Sequence, residues 1–274
     1  MPMDEIQIST AQVIAMGLAG VIQLLLPVTL WIFWRRKTHA SWMPLLAGLL
    51  GFVVIGTLRG LFRTIFLAEM QSTPLLYYLA QALLAGIFEE GGKYLVMRFA
   101  IPNCDHPQDA LSYGIGHSTV EHYAAGSAGL LLYGFAVAIF YRTGGMDAFA
   151  PGETGAFLMQ GQDDAGMLEI LQAVSENTVF SCIRTTLESL PVLHLCCSVL
   201  VFTAVHDDQS PKWLFAAIGL HTLADVIGAF YMAHHITHTE ANILELLLDA
   251  GLIYLTYRVW QHYRRDALWE VENC

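Results

Sequence analysis

Eight ionisable residues lie where they are costly, inside long apolar runs of the chain. Glu89, Glu90 and Lys93 sit in "GIFEEGGKYLVMRF", and His117 and Glu121 in "GIGHSTVEH". His194 sits in "HLCCS", and His221 and Asp225 in "HTLAD". Unpaired charge in hydrocarbon costs several kcal/mol, so ionisable residues within spans are functional candidates by default. His117 and Glu121 are spaced i, i+4, as are His221 and Asp225, so each pair shares one helical face. Lys93 is within reach of Glu89 at i, i+4 and of Glu90 at i, i+3, while the two carboxylates point about 100° apart. Glutamate with two or more histidines suits activation of water, directly or through zinc. A single buried His–Asp or Glu–Lys pair is more often a satisfied interhelical contact than a catalytic element. Eight such residues on four helices point to function.

The elements that must position them are transmembrane helices. The 274-residue chain is 55% hydrophobic and 14% charged, too little charge to cover a soluble protein of this size. We expect an all-α, polytopic helix bundle. Apolar runs fall at Ala11–Trp34, Ser41–Phe62, Leu75–Phe99, Leu111–Tyr141, Thr186–Val205, Trp213–Ala233 and Ala241–Trp260, giving about seven spans. Tyr and Trp residues cluster near their ends, as interface aromatics should. Placing Arg35–Arg36–Lys37 in the cytosol also puts Arg98, Lys212, Arg258, Arg264 and Arg265 there, so the N-terminus is expected outside and the C-terminus in the cytosol. Arg59, Arg63, Arg142 and Arg184 then fall on the outer side.

Counted from the cytosolic ends at about 1.5 Å per residue, His117, His221, His194 and the two glutamates lie roughly 9–16 Å deep. Helices running in alternating directions thus deliver acids and imidazoles to one level. Gly86, Gly91, Gly92, Gly114 and Gly116 surround that level and would allow close helix approach. A loop over 142–184 is Gly-rich and then carries Met167, Ile170, Leu171 and Val174 as an i, i+3, i+4, i+7 stripe, which predicts a short amphipathic helix outside the membrane. A weaker amphipathic stretch, "RGLFRTIFLAEMQ", is expected to join the second and third spans. We therefore expect one transmembrane domain over 1–274, with its functional core at about 75–233.

Other features exclude more than they propose. No basic n-region or small-residue cleavage site opens the chain, so no signal peptide is expected. The five cysteines show no metal or redox spacing, and adjacent Cys196 and Cys197 are expected to fill core. "VENC" ends on its cysteine and is not a prenylation box. A net charge of −11 argues against a nucleic-acid partner. His234, His235 and His238 fall in an outer loop and are expected to be solvated, and His206 with Asp207 and Asp208 in an inner one.

The four motifs, in order on successive helices, resemble a known family. "EEGGK" fits E-E-x-x-[KR], "GIGHSTVEH" resembles G-x-G-H-G-x-x-E, "HLCCS" supplies an isolated histidine, and "HTLAD" fits H-x-x-x-D. Together they resemble the YhfC-like intramembrane metalloproteases, relatives of the CAAX prenyl endopeptidases, the PrsW proteases and the Abi immunity proteins. The resemblance implies an integral membrane endopeptidase of a prokaryotic plasma membrane, acting on a membrane protein or peptide; with the polar level in the cytosolic half of the bilayer, we expect its cavity to open towards the cytosol. It implies that Glu89 activates water with Glu90 as its companion, and that His117 holds that water or a metal. Glu121 and His194 would supplement His117, and His221 with Asp225 would face the tetrahedral intermediate. The implied catalytic set is Glu89, Glu90, His117, His221 and Asp225. The implied metal set is His117, Glu121, His194 and His221, with zinc as the metal. The motifs do not choose between zinc and a bare glutamate-activated water, nor between the two glutamates as base. Lys93 stands where these sequences usually carry Arg, and Ser118 replaces a common Gly.

Two other classes fit the same residues. A non-catalytic membrane scaffold or immunity protein of this fold would keep the polar core for stability. A proton or metal-ion carrier would continue polar residues to both surfaces, against which stand the apolar outer halves of the fourth and sixth spans.

Overall fold

The computed structural model describes residues 6–104, 106–188, 191–206 and 211–272. Asp207, Asp208 and Cys274, considered above, lie outside them. Among the described residues the chain is all-α, as expected. The helices are α1 (Thr10–Thr38), α2 (Trp42–Phe66), α3 (Pro74–Leu95), α4 (Pro107–Ala125), α5 (Ser127–Gly144), α6 (Asp164–Ser175), α7 (Val179–Glu188), α8 (Val192–His206), α9 (Lys212–Met232) and α10 (His238–Glu272). Local chemistry sets several boundaries. Ser41 caps α2 by accepting from the Met43 N–H, and Pro74 opens α3, where its missing N–H costs nothing. Asp163 caps α6 by accepting from the Gly166 N–H at 2.9 Å.

Among the described residues, four segments are long and apolar enough to cross a membrane: Thr10–Thr38, Trp42–Phe66, Pro107–Phe149 and Lys212–Met232. Val192–His206 is apolar but shorter. The fourth expected span is interrupted, because Gly126 takes a left-handed φ of 73° between α4 and α5, a conformation open to glycine. α3 carries Glu89, Glu90 and Lys93, yet all three are fully buried, and it turns Leu76, Leu83, Ile87 and Leu95 outward. Its outer face is therefore apolar although its sequence is not. The second span is longer than expected. α2 runs on to Phe66, so Arg59 and Arg63 are helical residues rather than part of a connection.

The chain forms two compact units. One comprises Met1–Thr29 with His122–Leu190, and the other Leu30–Glu121 with Pro191–Cys274. In the first, α6 forms as the stripe predicted. Leu171 and Val174 are buried against Met16, Val137 and Ala138, with Met167 and Ile170 packed beside them. α7 follows as a separate short helix, ahead of the apolar run that had been assigned to one span. His122 donates or accepts at the Gln23 carbonyl, 2.9 Å away, in the same unit.

The second unit carries the polar residues. Its central helix is α8, buried along most of its length from His194 to Val205, as suits a helix apolar on every face. Cys196 and Cys197 are buried within it, as core filler should be. Glycines set how closely the neighbours approach. A Cβ on Gly86 of α3 would lie 2.7 Å from the Ile218 carbonyl oxygen of α9, and one on Gly114 of α4 would lie 3.0 Å from the His194 carbonyl oxygen of α8. A Cβ on Gly116 would strike the Leu45 carbonyl of α2, and one on Gly48 the Tyr113 carbonyl of α4. Gly91, by contrast, faces open space. His234 and His235 are exposed, as expected of a loop.

Candidate active site

The close approaches at Gly86, Gly114, Gly116 and Gly48 bring α2, α3, α4, α8 and α9 together around one polar cluster in the second unit. Glu89, Glu90, Lys93, His117 and His221 are all essentially inaccessible, and His194 nearly so. The eight residues picked out by spacing all belong to this cluster, and their contacts resolve which partner each takes.

Glu90 takes the lysine. Lys93 Nζ donates to Glu90 Oε1 at 2.7 Å, and the same oxygen meets His221 Nδ1 at 2.6 Å. Lys93 also reaches His194 Nδ1 at 3.2 Å. An ammonium has donors only, so that ring nitrogen is the acceptor and His194 Nε2 carries the hydrogen it gives to Glu121. Glu90 Oε2 has no partner.

Glu89 takes a residue that spacing did not identify. Arg59, on α2, donates to Glu89 Oε1, while His117 Nε2 lies 3.1 Å from Glu89 Oε2. Counting basic residues by loop had put Arg59 on the outer surface. A guanidinium on a long side chain reaches inward from within a helix, and the available signal was two arginines four residues apart in an otherwise apolar run. The His117 ring is fixed by Phe52, edge-on at 4.9 Å, and by Tyr113, stacked at 6.2 Å. Its Nδ1 is buried without a partner. His221 Nε2 points between Glu89 Oε2 and Asp225 Oδ2, 3.9 Å from each. Asp225 is therefore near the site but not hydrogen-bonded to His221, and about two-fifths of its side chain is exposed.

Among the described residues, two groups have the donor set for a metal ion. Glu89, His117, Glu121 and His194 each offer a ligand atom, all within 4.8 Å of one another, and so do Glu90, His194 and His221. His117, Glu121 and His194 thus come together with Glu89, whereas His221 falls in the other group. Lys93 separates the two electrostatically, since its ammonium touches Glu90 and His194 and repels a cation placed between them. In the first group, two carboxylates and two imidazoles match the mixed N/O set that zinc accepts. Charge balance agrees. Glu89, Glu90, Glu121 and Asp225 outnumber Arg59 and Lys93 by two when the imidazoles are neutral, which one divalent cation would offset.

A cleft of about 530 Å³ adjoins the cluster, lined by Arg59, Arg63, Gln81, Asp225, Met232 and Glu245 among others. Arg59 and Asp225 belong to both the cleft wall and the polar cluster, so they mark the route between them. The lining comes from the C-terminal halves of α2 and α9, the N-terminal half of α3 and, at Glu245, the start of α10. This is the end opposite the Arg35–Lys37 loop, so with that loop in the cytosol the cleft opens outward, not towards the cytosol as expected.

Comparison with known proteins agrees with the motif order. The chain is 28% identical over 263 residues to the protein named "Uncharacterized membrane protein YhfC" of Bacillus subtilis (strain 168), an alignment covering 90% of this chain and 96% of that one. No solved structure matches it. A family model described as YhfC intramembrane metalloprotease matches residues 22–248, which include every residue of the cluster. With most of its length matched, this chain is a membrane protein of the YhfC intramembrane metalloprotease family.

Proposed function

We propose that the protein is an intramembrane endopeptidase that hydrolyses a peptide bond with water activated at Glu89. The observation that carries this reading is the convergence of Glu89, His117, Glu121 and His194 from three helices, with ligand atoms within 4.8 Å of one another beneath a cleft. His117, Glu121 and His194 would hold the metal, leaving a position open for water and Glu89 free as the base, with zinc favoured by the donor set. When bound, zinc would polarise the attacking water and the scissile carbonyl.

The chain's own groups have separate tasks. Glu89 Oε2 and His117 Nε2 lie 3.1 Å apart in direct contact, so the attacking water would sit beside this pair, within reach of Glu89. Glu89 accepts the proton that the water loses on attacking the carbonyl carbon. His221 gives its Nδ1 hydrogen to Glu90 and turns its Nε2 towards Glu89. There it can take that proton and pass it to the departing amine. Arg59 borders both Glu89 and the cleft, and its remaining N–H groups stabilise the developing oxyanion. That role passes to Arg59 from Asp225, because a carboxylate repels an oxyanion. Lys93 holds Glu90 in place.

The test is cleavage of apolar single-span peptides by purified protein in lipid nanodiscs. We expect Glu89→Gln and His117→Ala to abolish turnover in protein that still folds, as read by a cooperative melting transition of its own. Unchanged turnover in both would overturn the assignment. Lost stability without any wild-type turnover would favour the scaffold reading.

A further inference from the structure

The cleft holds a cation that the hydrolytic reading leaves unused. Arg63 lies one turn beyond Arg59 on α2 and lines the same wall. Arg59 is committed to Glu89. Arg63 has no acidic partner among the described residues, and its contact is a long 3.4 Å hydrogen bond to Gln81 Oε1. A guanidinium in a segment apolar enough to span a membrane is expensive unless a ligand or water pairs with it. Arg63, though exposed, contacts Gln81 on α3 and lines the concave wall.

We infer that Arg63 is a specificity-determining residue that pairs with a carboxylate on the substrate, an Asp or Glu side chain or a chain terminus, seated in this cleft. The inference rests on the endopeptidase reading and adds a register to it. Residues four apart on a helix are about 6 Å apart along its axis, and an extended peptide advances about 3.3 Å per residue. A carboxylate on Arg63 therefore lies about two residues from the peptide bond held beside Arg59 and Glu89. A cavity of about 530 Å³ accommodates a short extended segment of that length. The planar guanidinium suits bidentate pairing with a carboxylate, and Gln81 beside it offers an amide to the same ligand.

The experiment uses labelled single-span apolar peptides carrying one Asp at successive positions, each with an Asn twin. Cleavage is read by mass spectrometry with wild type and Arg63→Gln, and binding by anisotropy on Glu89→Gln with and without Arg63→Gln. We expect the Asp peptide to be preferred about tenfold at the two-residue offset, as a charge-assisted pair implies. Arg63→Gln should remove that preference without changing the Asn twin, and Arg63→Glu should transfer it to a Lys peptide. Equal Asp and Asn binding in wild type, or a preference that survives Arg63→Gln, overturns the inference while cleavage still supports the protease. Arg63-dependent binding without any cleavage upholds the inference and sinks the protease. An effect of Arg63→Gln seen only in phosphatidylglycerol nanodiscs assigns Arg63 to lipid headgroups and overturns it, as does failure of every peptide to bind.

Discussion

Replacing Lys93 by methionine tests the electrostatics of the cluster most directly. Lys93 and Glu90 are both wholly buried, with Nζ 2.7 Å from Oε1. Removing one member of such a pair leaves an uncompensated charge, at a cost of about 3–5 kcal/mol. His221 Nδ1 still contacts Glu90 Oε1 at 2.6 Å, so the loss should fall near the lower end, about 3 kcal/mol. For a chain of this size, 1 kcal/mol shifts Tm by about 2–4 °C, so Lys93→Met should melt about 6–12 °C below wild type. Glu90→Gln/Lys93→Met removes both charges and should recover about 2 kcal/mol relative to the sum of the single variants. Thermal unfolding by tryptophan fluorescence in one detergent, on all four proteins, reads this cycle. The same variant has a second readout. Without the ammonium, Glu90, His194 and His221 become free to compete for a cation, but His194 belongs to both groups, so Lys93→Met should still bind no more than one equivalent of zinc. A Tm within about 1 °C of wild type, or additivity within about 0.5 kcal/mol, would refute the buried pairing.

Three further outcomes follow from the geometry. Zinc binding at the Glu89 group should release a proton, because His194 Nε2 must give up the hydrogen it shares with Glu121; calorimetry in buffers of different ionisation enthalpy measures it, and equal heats would contradict it. His117→Ala and Glu121→Gln should each lower zinc content below one equivalent by elemental analysis, whereas Asp225→Asn should retain it. Gly48→Ala should destabilise by at least about 1 kcal/mol, since its methyl meets the Tyr113 carbonyl, while Gly91→Ala, facing open space, should be neutral or stabilise by up to about 1 kcal/mol, as read by melting temperature.

The sequence by itself determined that the chain is helical and membrane-embedded, and which polar residues matter. Apolar runs of spanning length and the cost of charge within them need no tertiary knowledge, so Glu89, Glu90, His117, Glu121, His194 and His221 stand out from type and position alone. The stripe over Met167–Val174 likewise fixed the face that α6 buries. Spacing could not decide pairings across helices. Lys93 is close in sequence to both glutamates, and only the packing of α3 against α8 and α9 gives it to Glu90. Arg59 was hidden because a cation near a span end looks like a surface residue, whereas a long side chain can turn inward from a helix that continues past it. The break at Gly126 depends on one residue's φ, which an apolar run conceals. The direction in which the cleft opens depends on which halves of α2, α3 and α9 diverge, a property of helix crossing set by Gly86 and its neighbours rather than by any single segment. Local patterns record what a residue costs in hydrocarbon, whereas the partner that offsets the cost comes from another helix and is settled when the helices pack.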